Sequence, residues 1–244
     1  MVECDNKRFV VLRIWIAMSL FPIMFLVFMS SVVDDTYSDS LNPGIYSRDS
    51  SPFSMPYEDW IAKWWDYNVD IGAEEHPRDN FSPERCNLDQ GQNDTVYYLP
   101  DNLSGEEQRN CTVPVGKAIL APLITGSCWD DDTDAKLKTE EGLRECSREG
   151  QEFGVVSATL DGRPLQNLEQ YRATSDVFNM TVAENNAFQS PPGTFPAMAD
   201  GFFVFLEPLP PGEHTLVLEQ SVLNPVQPEY NFASRTNYVL TAEP

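Results

Sequence analysis

Positive charge and histidine are what this chain has least of. Its 244 residues set 16 Lys and Arg against 38 Asp and Glu, a formal net charge of −22, and only His76 and His214 supply imidazole. The acidic residues run the length of the chain, so no basic patch forms, and such a surface repels polyanions. Nucleic acid is therefore not expected as a partner. No H-E-x-x-H, G-x-S-x-G, phosphate-binding loop or dinucleotide fingerprint is present, and His76 and His214 lie far apart in a polar loop and a candidate strand. No catalytic residue is assigned. The runner-up to a binding function is a hydrolase using a carboxylate pair, for which the many Asp and Glu give no separation to judge.

Cysteine is also scarce, with five in all. There is no C-x-x-C pair and no histidine close by, so a zinc site is not expected. Cys4 precedes the apolar run described below and reads as a plain thiol. Cys86, Cys111, Cys128 and Cys146 form an even set, for which three pairings exist. Cys86 with Cys111 and Cys128 with Cys146 is preferred, because each bond closes a modest loop. In the chain-entropy model such a loop contributes about 3 kcal/mol.

Long hydrophobic runs are absent but for one. IWIAMSLFPIMFLVFMSSVV opens at Ile14 and closes at Val33, with Lys7, Arg8 and Arg13 before it and Asp34 and Asp35 after it. Helical residues rise roughly 1.5 Å each, so the run spans a hydrocarbon core of roughly 30 Å. A secretory signal has a shorter apolar region and a small-x-small exit, whereas Phe28 and Met29 are bulky. The reading is an uncleaved signal-anchor over 14–33, a cytoplasmic tail over 1–13 and an exterior C-terminal part, as the basic flank dictates. A cleaved signal and secretion is the alternative.

Residues 34–55 are rich in Ser, Asp and Pro without apolar periodicity and read as a flexible stalk. The domain proper is expected over 56–244. Its first element, 56–71, is a helix with proline at the start, Glu58 and Asp59 in the first turn, and Trp60, Ile61, Trp64 and Trp65 on one face. Trp60, Trp64 and Trp65 are ligand-stacking candidates, set against the plainer reading that they pack on a sheet. Short strands are expected over 95–99 and over 117–125, the latter with an irregularity at Pro122. A second helix over 139–148 is capped by Thr139. Further strands are expected over 153–160, 202–206, 214–219 and 237–241, with a proline-stiffened hairpin loop at 208–212. The fold class is mostly β, a β-sandwich-like exterior domain with a few helices in its first half.

Asp130, Asp132, Asp134 and Glu141 fall in register with the calcium-loop pattern, but Ala135 stands where the loop needs glycine. A solvated acidic loop is the stronger reading, and no cofactor is assigned beyond calcium as a candidate. Asn80, Asn93, Asn102, Asn110 and Asn179 each open an N-x-[ST] sequon and are candidate glycosylation sites.

The segments YEDWIAKWWDYNVDI, CTVPVGKAILAPLITGSC, LKTEEGLREC, ATLDGRPLQNLEQYR and DGFFVFLEPLPPGEHTLVLEQ together resemble a family of uncharacterised exported proteins. The family's marks are a W-x-x-x-W-W helix, a C-T-V-P-x-G-K-A-I strand and an F-L-E-P-L-P-P-G-x-H-T hairpin. The resemblance runs over about 57–240 and implies one continuous exterior domain. It does not extend to the Asp130–Asp134 run and brings no activity. The expected function is therefore a non-catalytic extracellular or cell-surface binding module with a protein or glycan ligand. A structural subunit of an envelope complex, docked through the Trp60–Trp65 helix, is a further alternative.

Overall fold

Ten buried residues in a row, Ala197 to Leu206, show how the fold is layered. A strand alternates its side chains between two faces, so an unbroken buried run requires cover on both. Phe203 meets Trp64, and Phe205 meets Tyr57 and Trp60, edge to face on one side. Phe202 faces Gly154 of the second sheet on the other side.

The computed structural model describes residues 42–74, 76, 77, 86, 95–102, 105–226 and 228–244. The tail, the anchor or signal from Ile14 to Val33, and the sequons at Asn80 and Asn93 lie outside the described residues. Helix α1 is Tyr57–Val69 and α2 is Glu140–Arg148. The first sheet holds β1 (Val96–Tyr98), β3 (Ala118–Trp129) and β8 (Gly193–Leu206), with β6 (Arg172–Thr174) and β7 (Phe178–Val182) both paired to β8. The second runs β2 (Gly105–Pro114), β10 (Phe232–Glu243), β9 (Gly212–Val222), β4 (Gly154–Leu160) and β5 (Arg163–Pro164). Most pairs are antiparallel; β1 with β3 and β2 with β10 are parallel. Among the described residues the fold is thus mostly β, with two sheets and two α-helices. One hydrophobic core joins the elements, and the described residues fall within one compact unit, 39–244.

The tryptophans are core residues. Trp60 is 2 % exposed, Trp64 0 % and Trp65 5 %, and their indole N–H groups donate to Pro52 O, Leu99 O and Thr125 Oγ1. With the rings covered and the one polar atom of each satisfied, they offer no stacking platform. The three rings face the core rather than a ligand, contrary to the ligand-stacking expectation.

The described part of the expected 34–55 stalk packs on the domain instead. Ile45 bridges to Leu206, Tyr46 N–H donates to Phe205 O, and the Asn42 carboxamide bonds the Gln166 backbone from both its ends. Residues 42–55 therefore belong to the domain. The Ser, Asp and Pro content that reads as a linker here satisfies turns against the end of β8.

Strand β2 has no apolar signature because its inward positions are Arg109, Cys111 and Val113 and its outward ones are polar. Two disulfides, Cys86–Cys111 and Cys128–Cys146, fasten it and α2 to the body, with Cα separations of 5.1 and 6.0 Å. Such bonds persist in oxidising compartments outside the cytoplasm.

Candidate functional site

A cleft of about 390 Å³ opens where the two sheets end together. Ile124 and Gly126 of β3 form one wall, Val222 and Phe232 of β9 and β10 the opposite wall, and Glu149 and Gln151 of the α2–β4 link the floor. Three local features of the sequence build it.

The first is a bulge. Pairing of β3 with β8 slips between Pro122 and Thr125, so Leu123 and Ile124 together oppose Phe202. Proline cannot donate to the ladder, and bulges bend and re-aim a strand. The bend brings the β3 backbone onto Gly201, where a β-carbon would lie 2.6 Å from Ile124 O and 2.7 Å from Thr125 Cα. Only glycine fits there.

The second is the exit from α2. Thr139 caps the helix through Gly142 N at 3.1 Å, as the sequence predicts, and Cys146 bonds to Cys128 of β3. Gly150 then takes φ of 90°, a left-handed turn suited to glycine, and throws Gln151 inward. The third is Gly126, whose missing side chain leaves room for the Gln151 amide. Gln151 ends 5 % exposed, and among the described residues its Oε1 has no hydrogen-bond partner. A buried acceptor without a donor costs about 1–3 kcal/mol.

Beside the cleft, on the outer face of the second sheet and outside the cleft lining, lies an exposed apolar patch. Leu223 and Val226, in the β9–β10 connection, are 66 % and 80 % exposed, and Val155 is 65 % exposed. Leu223 N–H reaches Phe153 O, and Val155 pairs with Ser221, so Phe153, Val155 and Leu223 share the outer face at this end of the second sheet. Clustered exposed side chains of this kind mark contact surfaces more often than scattered ones do. Neither Gln151 nor this outer patch stands out in the sequence. The one available signal is Leu223 and Val226 in LNPVQP, apolar residues stranded among prolines.

The other candidate residues are not brought together. Asp130 accepts from Asp132 N, Asp134 from Lys136 N, and Asp132 pairs with Lys138 at 2.6 Å. Lys138 holds the Asp132 carboxyl below the usual range through a hydrogen bond and its charge. Glu141 stands in the first turn of α2. Among the described residues no group of three or more His, Cys, Asp or Glu could hold a metal ion, and Asp130 and Asp134 serve as turn-forming carboxylates.

His76 is fully buried, its Nε2 3.0 Å from Asn68 O. His214 lies with Nδ1 2.7 Å from Asp161 Oδ2 and Nε2 2.9 Å from Pro210 O, tying the β4–β5 turn to the 208–212 loop. Partial burial draws the imidazole down, but the bonds to Asp161 and Pro210 and the Asp161 charge outweigh it and leave His214 above its ordinary value. Of the candidate sequons within the described residues, Asn102 is buried, whereas Asn110 and Asn179 are exposed.

No family model and no curated protein matches the chain. Among solved structures, a chain from "Structure of PbICP-C in complex with falcipain-2" is similar at 13% identity and a TM-score of 0.24, over 61% of this chain and 99% of that one. That likeness is too slight to assign a fold or a function.

Proposed function

We propose that the protein is an exported, non-catalytic binding module that takes a segment of a partner protein at the cleft between β3, β9 and β10. The observation that carries this reading is Gln151, a nearly buried carboxamide whose Oε1 lacks a donor among the described residues, in a cleft also lined by Ile124, Val222 and Phe232. A volume of about 390 Å³ is within the range of sites that hold small ligands or a few side chains. A peptide offers both things the cleft lacks, an N–H for Gln151 and apolar groups for Ile124, Val222 and Phe232. The glycan alternative rests on Trp60, Trp64 and Trp65, and their burial takes away its support.

Export is supported by the two disulfides. In this reading the run from Ile14 to Val33 holds the domain at a membrane with 42–244 outside, or is removed to release it. Two sheets around one core support the β-sandwich reading.

The test is selection of a displayed random-peptide library on the purified protein, followed by affinity measurement against Gln151→Met and Phe232→Ser variants. The expected result is an enriched sequence that binds the wild type and weakens at least tenfold on both variants. Failure to enrich any sequence, or binding indifferent to both changes, contradicts the proposal.

A further inference from the structure

The sequence offers Asn102, Asn110 and Asn179 as equivalent sequons, and the fold makes them unequal. Asn102 is 5 % exposed and is a hub of the interior. Its Nδ2 donates to Thr236 Oγ1 at 3.1 Å, Gly105 O at 3.3 Å and Arg235 O at 3.4 Å. Its backbone oxygen accepts from Gln220 Nε2 at 2.9 Å and Ser234 Oγ at 3.2 Å. The residue thereby pins the start of β2 to β9 and β10.

Asn110 and Asn179 share a different setting. Each begins Asn-x-Thr within a strand, and the period of two puts Asn and Thr on one face with the middle residue on the other. In β2, Asn110 and Thr112 are exposed while Cys111 is buried; in β7, Asn179 and Thr181 are exposed while Met180 is buried. Both elements of each sequon are thus presented together to solvent, on rigid backbone.

N-glycosylation forms a bond from Asn Nδ2 to C1 of an oligosaccharide and breaks the bond from C1 to a lipid pyrophosphate. The pyrophosphate leaves with the electron pair, and the amide gives up one of its two protons. A modified Asn102 would keep a single N–H for three acceptors and would need to carry a sugar out of a closed interior. Asn110 and Asn179 meet neither obstacle.

We infer that the folded, exported protein carries N-linked glycans on Asn110 and Asn179 and none on Asn102. The two sugars also leave the cleft open. Asn110 pairs with Val239, seven residues along β10 from Phe232, or about 24 Å at roughly 3.4 Å per residue. Asn179 pairs with Pro196, five residues along β8 from Gly201 beside Thr125, about 17 Å away by the same rise.

The full chain, secreted or displayed by a eukaryotic cell line and purified folded, is treated with peptide N-glycosidase in heavy-oxygen water and mapped by mass spectrometry. The expected result is the isotopic Asn-to-Asp mark at Asn110 and Asn179 and its absence at Asn102. Asn110→Gln and Asn179→Gln each remove one glycan with the melting temperature unchanged, whereas Asn102→Gln lowers the melting temperature and leaves the glycan count as it was. A mark on Asn102, or a bare Asn110 or Asn179, overturns the inference. None of these readouts involves a cleft ligand, so this inference and the binding function fail separately.

Discussion

The side-chain amide of Gln151 occupies the place that a β-carbon on residue 126 would take. The pair sets the shape of the cleft: glycine at 126 lets the carboxamide enter, and the carboxamide in turn lines the floor. Gly126→Ala must displace the Gln151 amide, the far end of a flexible side chain. The expected cost is about 1–2 kcal/mol, the lower range for overpacking. Gly201→Ala meets backbone atoms of Ile124 and Thr125 instead, which cannot swing aside, and is expected to cost about 3 kcal/mol or more. Urea denaturation midpoints compare them, and equal losses contradict the account.

Trp64 is expected to be the most costly aromatic to truncate. It is fully buried, packs edge-on against Trp65 and Phe203, and donates to Leu99 O at 2.9 Å. Trp64→Ala should lose about 3–5 kcal/mol. Val226→Ala, at an exposed position in a loop, should stay within about 0.5 kcal/mol. A Trp64 variant of near wild-type stability would show that α1 does not cover the first sheet.

Asp200 is fully buried and is held by Arg172 Nε at 2.7 Å and Thr174 Oγ1 at 2.5 Å. Removing the cation with Arg172→Met leaves a buried carboxylate with one neutral donor, and breaking a buried pair costs about 3–5 kcal/mol. Arg172 is itself partly exposed, so the lower end is expected. The double variant Arg172→Met with Asp200→Asn should recover part of the loss; a double variant worse than the single contradicts this assignment.

The His214–Asp161 pair gives a stability profile with two edges. His214 is raised in the folded state, so its contribution is complete below the unfolded value near pH 6.5 and is lost as pH rises through the folded value. Burial draws Asp161 up, yet the His214 and Thr215 bonds and the charges of His214 and Arg163 leave it lowered. Its contribution is present above about pH 3.9 and lost as pH falls through the folded value. Asp161 is 44 % exposed, so solvent screening holds the effect to below about 1 kcal/mol. Thermal melts from pH 5 to 9 should decline on the alkaline side for the wild type and flatten there for His214→Gln. An unchanged decline in the variant removes the pair as its source.

Much of the framework is legible in the chain because local and tertiary demands agree there. The 56–71 helix, the Thr139 cap, the Pro122 irregularity and most second-half strands follow from periodicity and turn residues, and most of these strands prove longer than their apolar segments. Strand β2 is hidden because Arg109 faces inward, so alternation of polar and apolar residues never appears. The start of β8, GTFPAMAD, is hidden by small residues and a proline that suit a strand covered on both sides. The cleft is illegible for a different reason. Gly126, Gln151 and Phe232 come from separated segments, and a glutamine attracts notice only once its carboxamide is known to be buried without a donor.

The most direct measurement is a crystal of the protein soaked in turn with acetamide and phenol, whose N–H and O–H groups and small apolar bodies mimic parts of a peptide. The account predicts that a probe settles between Ile124, Val222 and Phe232 with its donor within hydrogen-bonding distance of Gln151 Oε1. An empty cleft, with both probes gathered on another surface, would contradict it.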